Sequence, residues 1–331
     1  MYLTTFANQP SSFFQHAEHE RITRAALACQ STIHPPACFE PRSLDQLAGR
    51  TGSFGAVGSP DILRPVPEGP EAHCDDADFL DDPSYPRTRE EATATLLTCI
   101  VHLRMRVREA VVSAHALLDH KLRIIPRHVD LAVDCNYIPY QSDRAKCNAL
   151  GGFGKALHGV QDFYAHSNWA DVAKAPHNVK NPPGLGMREV APMLDMRAPL
   201  DFDIPRNLST GCFSLLENEQ FPWMSPCKDR ITHDILNKDT GHISPSSGKA
   251  SWASTRRGKK NGNFKEAVRL AVLDTQRQWK NFMAELNAFY GTTRAELIIC
   301  ALTTDNPDHC YEQRTSFDDA INFEEGTKAE L

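Results

Sequence analysis

The chain has 331 residues, with 36 Lys and Arg against 42 Asp and Glu and a net charge of −6. That balance excludes a protein held to nucleic acid by bulk positive charge, and 41% hydrophobic with 24% charged residues is too apolar for a disordered chain. No run of about 18 apolar residues occurs, so no membrane-spanning helix is expected. The length suits one domain with a sizeable core: a polar lead at 1–15, a helical body at 16–305 and an acidic tail at 306–331.

The first expected helix runs from Glu18 to Cys29, where Ile22, Ala26 and Cys29 form an apolar stripe with His19 on the same side. From Gly49 to Pro86 the density of Gly, Pro and Asp predicts a long ordered loop. Between Arg87 and Ile125 neither Gly nor Pro occurs. There Ala92, Leu96, Ile100, Leu103, Val107, Val111, Ala114, Leu118 and Leu122 recur at steps of three and four. This predicts one long amphipathic helix that stops near Pro126.

A further helix is expected from Phe153 to Trp169, and the proline-rich stretch from Pro176 to Pro226 reads as loops and short helices. Thr240 to Asn263 is rich in Ser, Gly and Lys and reads as a mobile surface excursion, about 240–262. Asn263 and Glu266 then suggest a capping pair for a helix with the stripe Val268, Val272, Thr275, Trp279, Phe282, Leu286 and Phe289, closed by Gly291. A last helix holds Ala295 to Leu302. No alternating run long enough for a sheet and no repeat is present, so the fold class is all-α, a single-domain helical bundle with long Pro/Gly-rich loops.

Eight of the ten cysteines fall into close pairs, Cys29 with Cys38, Cys135 with Cys147, Cys212 with Cys227 and Cys300 with Cys310. Such short loops suit local disulfides; Cys74 and Cys99 lack an obvious local partner. Disulfides imply an oxidising compartment, and the sequon Asn207-Leu208-Ser209 is consistent with secretion. Met1 to Gln15 lacks the basic start and long apolar stretch of a secretory leader. A secreted protein would therefore have lost its leader already, and a reduced cytosolic protein is the alternative.

The main chemical signal is FGKALHGVQDFYAHSNW, Phe153 to Trp169. On a helical wheel Phe153, Leu157, Val160 and Tyr164 cluster within roughly 60°, and His158, Asp162 and His166 lie about 180° away. Residues four apart stand about 5–6 Å apart at Cβ, close enough for His158 and Asp162 to hold one metal or two adjacent ones, and imidazole with carboxylate suits zinc. A solvated face with incidental histidines is the competing reading. Further candidate ligands are His19, whose burial unpaired would be costly, Asp61 in SPDILRP, His73 in EAHCDDAD, and His233, Asn237 and Asp239 in THDILNKD. Taken singly, each has a plain structural alternative, such as a core histidine or a turn cap.

HERITRAAL at His19 to Leu27, LHGVQDFYAHSNW at Leu157 to Trp169 and HDILNKD at His233 to Asp239 occur in an order that resembles the zinc-dependent phospholipase C superfamily. That superfamily also contains the single-strand-specific zinc nucleases and the Het-C heterokaryon incompatibility proteins, and the likeness is closest to the Het-C-like branch. It covers residues 16 to 302 in outline, with close matches only at these islands. The resemblance implies an all-helical pocket with up to three zinc ions. Its ligands would be His19, Asp61, His73, His158, Asp162, His166 and His233, with Asp162 bridging two metals. The family has an acid four residues after the last histidine. Position 237 here is Asn, so Asp239 or Asn237 would replace it, with His177 as a fallback histidine. Secreted members also use their N-terminal residue as a ligand, whereas eighteen residues precede His19; His16 is the nearest substitute.

The chemistry implied is phosphodiester hydrolysis by metal-activated water, with Asp61 orienting the water. Asn168 or Trp169 would support the site. Phe221, Pro222, Trp223 and Met224 are candidates for an apolar rim that meets phospholipid and makes peripheral membrane contact. Arg256, Arg257, Lys259 and Lys260 form the one strong basic cluster, and nucleic acid is the less favoured substrate. His102, His115, His120 and His128 are read as surface or supporting residues. Alternatives are a Het-C-like cell-death or interaction protein with structural metals, a metalloenzyme acting on a small molecule, and a single-strand nuclease.

Overall fold

The computed structural model describes residues 16–30, 38–50, 54–62, 68–137, 144–214 and 225–311. The lead at 1–15, the segment Phe221 to Met224 and residues 312–331 of the acidic tail lie outside the described residues. In chain order the α-helices are α1 (His16–Leu27), α2 (Pro41–Ala48), α3 (Pro70–His73), α4 (Arg89–Ala114), α5 (Pro126–Val129), α6 (Ala145–His166), α7 (His233–Leu236), α8 (Asn263–Tyr290) and α9 (Thr292–Thr303). An antiparallel pair, β1 (Gly241–Ile243) and β2 (Ala250–Ala253), stands between α7 and α8. The architecture is thus a predominantly helical bundle with a small two-stranded sheet, which corrects the purely helical expectation.

The hairpin also replaces the expected mobile excursion at 240–262. Ile243 and Ala250 turn inward and are buried, while His242, next to Ile243 on β1, stays exposed. Strands of three and four residues give too few alternations to register as a period of two. The basic cluster in the same region is split, because Arg257 is buried against Asp171 at 2.7 Å while Arg256, Lys259 and Lys260 face outward.

Helix α6 runs through the middle of the bundle and is covered on nearly every side. Its first half, with Phe153 and Leu157, joins a core with Leu44, Leu47, Val107, Val111, Trp279 and Phe282. Its second half, with Val160, Phe163 and Tyr164, joins a core with Ile22, Leu96, Ile100, Leu103, Phe264 and Val268. Each such large apolar side chain contributes about 1.5–3 kcal/mol on burial. The polar side of α6 is buried as well, since His158, Asp162 and His166 are all below 5% exposed. The helix begins eight residues before Phe153, because Gly151 and Gly152 continue it rather than ending it.

Helix α4 starts at a capping box in which Thr88 and Glu91 each accept the other's backbone N–H. It ends eleven residues short of the expected Ile125. A short 3-10 turn at His115–Leu117 follows it, then Asp119 turns the chain by accepting the backbone N–H groups of Lys121 and Arg123, and Leu122 takes a positive φ of 58°. Leu118 and Leu122 still pack inward, which is why their spacing read as helix. At α8 the expected capping pair does not form: Asn263 accepts from Val172 N–H, and Glu266 pairs with Arg269. Phe289, expected on the α8 core stripe, is exposed.

The four expected disulfides are present, and Cys74 pairs with Cys99 as a fifth. Cys74 follows α3 and Cys99 lies on the buried face of α4, so helix packing rather than sequence proximity joins them. The Cys300–Cys310 bridge draws the start of the tail onto the body, where the Tyr311 hydroxyl accepts from Ile124 N–H.

Candidate metal centre

Two segments converge on the polar side of α6 because small residues let them approach. A Cβ on Gly154 would lie 2.3 Å from Ala56 Cβ, in the loop that continues to Asp61. A Cβ on Gly159 would lie 2.6 Å from the Ala72 carbonyl oxygen, next to His73 at the end of α3. Glycine at these two positions therefore brings Asp61 and His73 against His158 and Asp162. From the other side α1 delivers His19, and α7 with the residues after it delivers His233 and Asp239.

His158 Nε2, His73 Nδ1 and Asp162 Oδ2 form a triangle with all three separations at 2.9 Å. Asp61 Oδ1 stands 3.6 Å from His158 Nε2 and 3.9 Å from His73 Nδ1. Tetrahedral zinc with bonds of about 2.0–2.1 Å holds its ligand atoms about 3.3 Å apart, so this spacing fits one ion. The other oxygen of Asp162, Oδ1, is 3.1 Å from His19 Nε2 and 3.9 Å from His166 Nε2. His166 Nε2 in turn lies 3.2 Å from Asp239 Oδ1 and 3.0 Å from His233 Nε2. All eight candidate residues are thus brought together in one continuous cluster.

The tautomers of two histidines follow from their partners. His158 Nδ1–H donates to the Val57 carbonyl at 2.9 Å. His19 Nδ1–H donates to Gln161 Oε1 at 2.8 Å, and the Gln161 amide is oriented by donating to Thr23 and Thr275. In each neutral ring Nε2 therefore presents a lone pair to a carboxylate oxygen. Lone pair facing lone pair at 3 Å requires a cation between or beside them, a proton or a metal.

Without metal, protons fill that role. Burial pulls His19 and His73 down, but the Asp162 carboxylate outweighs it and pushes both up to about 9. Burial also opposes ionisation of Asp162, and the surrounding His158, His166 and His19 overcome it and hold the carboxyl well below its usual range. His166 is raised by Asp239 and Asp162 against burial, whereas burial and the neighbouring His166 lower His233.

The six buried aspartates among the described residues divide into two kinds. Asp78 pairs with Arg87 and Arg230, Asp171 with Lys238 and Arg257, and Asp274 with Arg277. Asp75, Asp162 and Asp239 have histidine alone. In addition Asp61 Oδ2, Asp75 Oδ1 and His166 Nδ1 are buried without a hydrogen bond. A buried carboxylate with neither fixed cation nor donor is costly, and divalent metal beside Asp162 and Asp239 would offset that cost. Clusters of buried His and Asp that can coordinate metal ions are therefore present. Asp76 also lies beside Cys212 and Cys227, but those sulfurs form a disulfide and are not ligands.

Of the alternatives for the last ligand, Asp239 faces His166, and Asn237 instead accepts the Asp239 backbone N–H at 2.8 Å. His177 is exposed and belongs to none of the described groups; the His16 side chain lies outside the described residues. His102 contacts Arg106 and Glu68, His115 and His120 are exposed, and His128 accepts from Ala145 N–H. Asn168 and Trp169 tie down loops, Asn168 through Pro183, Asn207 and Ser209, and Trp169 through the Glu189 carbonyl. Sequence reasoning missed Asp75, whose Oδ1 lies 3.3 Å from His166 Nδ1, and the orienting residue Gln161. The acidic run after His73 was the available signal for Asp75.

The chain matches no protein-family model, no curated protein and no solved structure.

Proposed function

We propose that this protein is a zinc-dependent phosphodiester hydrolase of the phospholipase C and zinc nuclease kind, nearest the Het-C-like branch. The observation that carries the reading is Asp162, whose Oδ2 faces His73 and His158 while Oδ1 faces His19 and His166. A carboxylate so flanked suits two cations at once, and paired cations can clamp the attacking and leaving oxygens of a phosphodiester. Asp61, His73, His158 and Asp162 would hold one zinc, and His166, His233 and Asp239 another; His19 with Asp162 marks a third position. Bound zinc supplies a water with a pKa near 7 and polarises the phosphate.

The chain's own residues do the rest. Asp61 Oδ2 has no hydrogen-bond partner and is free to accept the proton of the attacking water. The Val57 carbonyl and Gln161 hold the His158 and His19 rings so that Nε2 points inward. Phospholipid is the favoured substrate class, with peripheral contact at a membrane surface. The burial of Arg257 supports it over nucleic acid, because it breaks up the one basic cluster. Among the described residues no helix is long and apolar enough to cross a membrane. Five disulfides support a secreted protein.

The test is turnover of short-chain phosphatidylcholine and of bis(4-nitrophenyl) phosphate by the zinc-loaded protein. Activity that a chelator abolishes and zinc restores is expected. Bound zinc with no turnover of lipid, diester or single-stranded nucleic acid would contradict the reading and favour an interaction protein with structural metals.

A further inference from the structure

The outer side of the hairpin is basic and aromatic. From Thr240 to Lys265 the chain carries Lys249, Arg256, Arg257, Lys259, Lys260 and Lys265 and not one Asp or Glu, in a protein whose net charge is −6. Arg257 is committed inside, to Asp171, and ties this stretch to the body. The other basic side chains are exposed, and no carboxylate among the described residues pairs with them. Of the two flanking acids, Asp239 faces His166, and Glu266 pairs with Arg269 and Arg188.

Trp252 stands on β2 in the same stretch, 59% exposed, whereas Trp169 and Trp279 are buried. Its strand is firmly held. Ile243 and Ala250 share a core with Phe264 and Val268, His242 Nδ1 and the Ser251 hydroxyl are 2.9 Å apart, and Ser254 N–H donates to the Thr240 carbonyl at 2.8 Å. A large ring kept in water on a fixed strand, with cations before and after it, has the composition that meets a lipid interface: the ring enters the headgroup layer and the cations meet anionic lipid. Nucleic acid fits less well. A single strand is held on successive stacked aromatics, and Phe264, the other aromatic of this stretch, is buried.

We propose that the β1–β2 hairpin, with the turn that follows it, is the surface by which the protein docks on anionic phospholipid membranes, Trp252 entering the headgroup layer and Lys249, Arg256, Lys259 and Lys260 meeting the lipid charge. The inference rests on the phospholipid reading for its choice of partner and deepens it by naming the docking surface and the charge of the lipid. β1 begins two residues after Asp239, and Ile243 lines the same small cavity as His19, Asp162 and Asp239. Docking through the hairpin therefore keeps the metal centre beside the membrane.

The test is co-sedimentation of the full, zinc-loaded chain with vesicles of phosphatidylcholine alone and of phosphatidylcholine with about 30 mol% phosphatidylserine, at low and at physiological salt. Wild type is expected to bind the anionic vesicles about 10-fold or more tightly than the neutral ones, and more weakly as salt rises. Trp252→Ala is expected to weaken that binding about 10-fold, and Lys259→Gln combined with Lys260→Gln about 5-fold for each charge removed. These side chains are exposed, and thermal melts check that the variants fold as wild type does. Equal binding to neutral and anionic vesicles, or wild-type binding by both variants, would overturn the proposal. So would tighter binding of a single-stranded oligonucleotide that the same variants lose, or a Trp252-dependent dimer in light scattering, which would assign the hairpin to nucleic acid or to a second copy of the chain. Anionic binding that depends on these residues supports the proposal even where the protein turns over no phosphodiester, an outcome that counts against the hydrolase reading alone.

Discussion

His158 Nε2 and Asp162 Oδ2, one turn apart on α6, lie 2.9 Å from each other, and the His158 Nδ1 proton is already given to the Val57 carbonyl. The helix thus presents an imidazole lone pair and a carboxylate to the same point, at a depth where neither reaches water. The other Asp162 oxygen makes the same kind of contact with His19 from α1.

Asp162→Ala is expected to remove at least two ions per chain, because each of its oxygens serves a different histidine group. In the metal-free protein the same change leaves buried imidazoles unpaired and costs about 3–5 kcal/mol. Elemental analysis and thermal melts check both parts. Wild-type metal content in the variant would remove Asp162 from its bridging role.

The metal-free protein is expected to lose stability as pH rises. His19 and His73 ionise at about 9 in the folded chain against an ordinary 6.5. Their contribution is therefore fully present below 6.5 and is lost as pH climbs through 9. Zinc competes with those protons, so its apparent affinity should rise over the same interval and binding at pH 7.5 should release protons. Melts of chelated protein from pH 6 to pH 10, and calorimetry in buffers of different ionisation enthalpy, measure the two effects. Flat metal-free stability or proton-neutral binding would contradict the electrostatic account.

Gly159→Ala tests how the fold positions the site. The new Cβ would meet the Ala72 carbonyl oxygen at 2.6 Å and Leu103 Cδ2 at 2.7 Å, pushing α3 and His73 away from α6. A loss of about 1–3 kcal/mol is expected, together with zinc affinity at least about 10-fold weaker. Unchanged affinity in a destabilised variant would separate the packing of α3 from the metal centre.

Asp61→Asn keeps an oxygen toward His73 and His158 but removes the proton acceptor. Turnover is expected to fall by about 10²–10⁴, with more metal retained than in Asp162→Ala. Near wild-type turnover would move the proton-accepting role elsewhere.

Sequence alone located what is periodic or local. The stripes of α1, α4 and α8 and the last segment, Ala295 to Leu302, each marked a true helix, and His158, Asp162 and His166 were legible because they share one face of α6. The end of α4 was not legible, since Leu118 stays buried and Leu122 half-buried at helical spacing although Asp119 has turned the chain. The hairpin was hidden by strands too short to show alternation. Cys74 with Cys99, Asp75 with His166, and Gln161 with His19 are all tertiary meetings. Gln161 sits beside the motif, but only the approach of α1 and α8 gives its amide an oriented role.

Elemental analysis of purified, unchelated protein asks whether the histidine and aspartate cluster holds metal. Two or three zinc ions per chain are predicted. No bound metal, even after dialysis against zinc, would contradict the account and leave the cluster as a proton-bridged core.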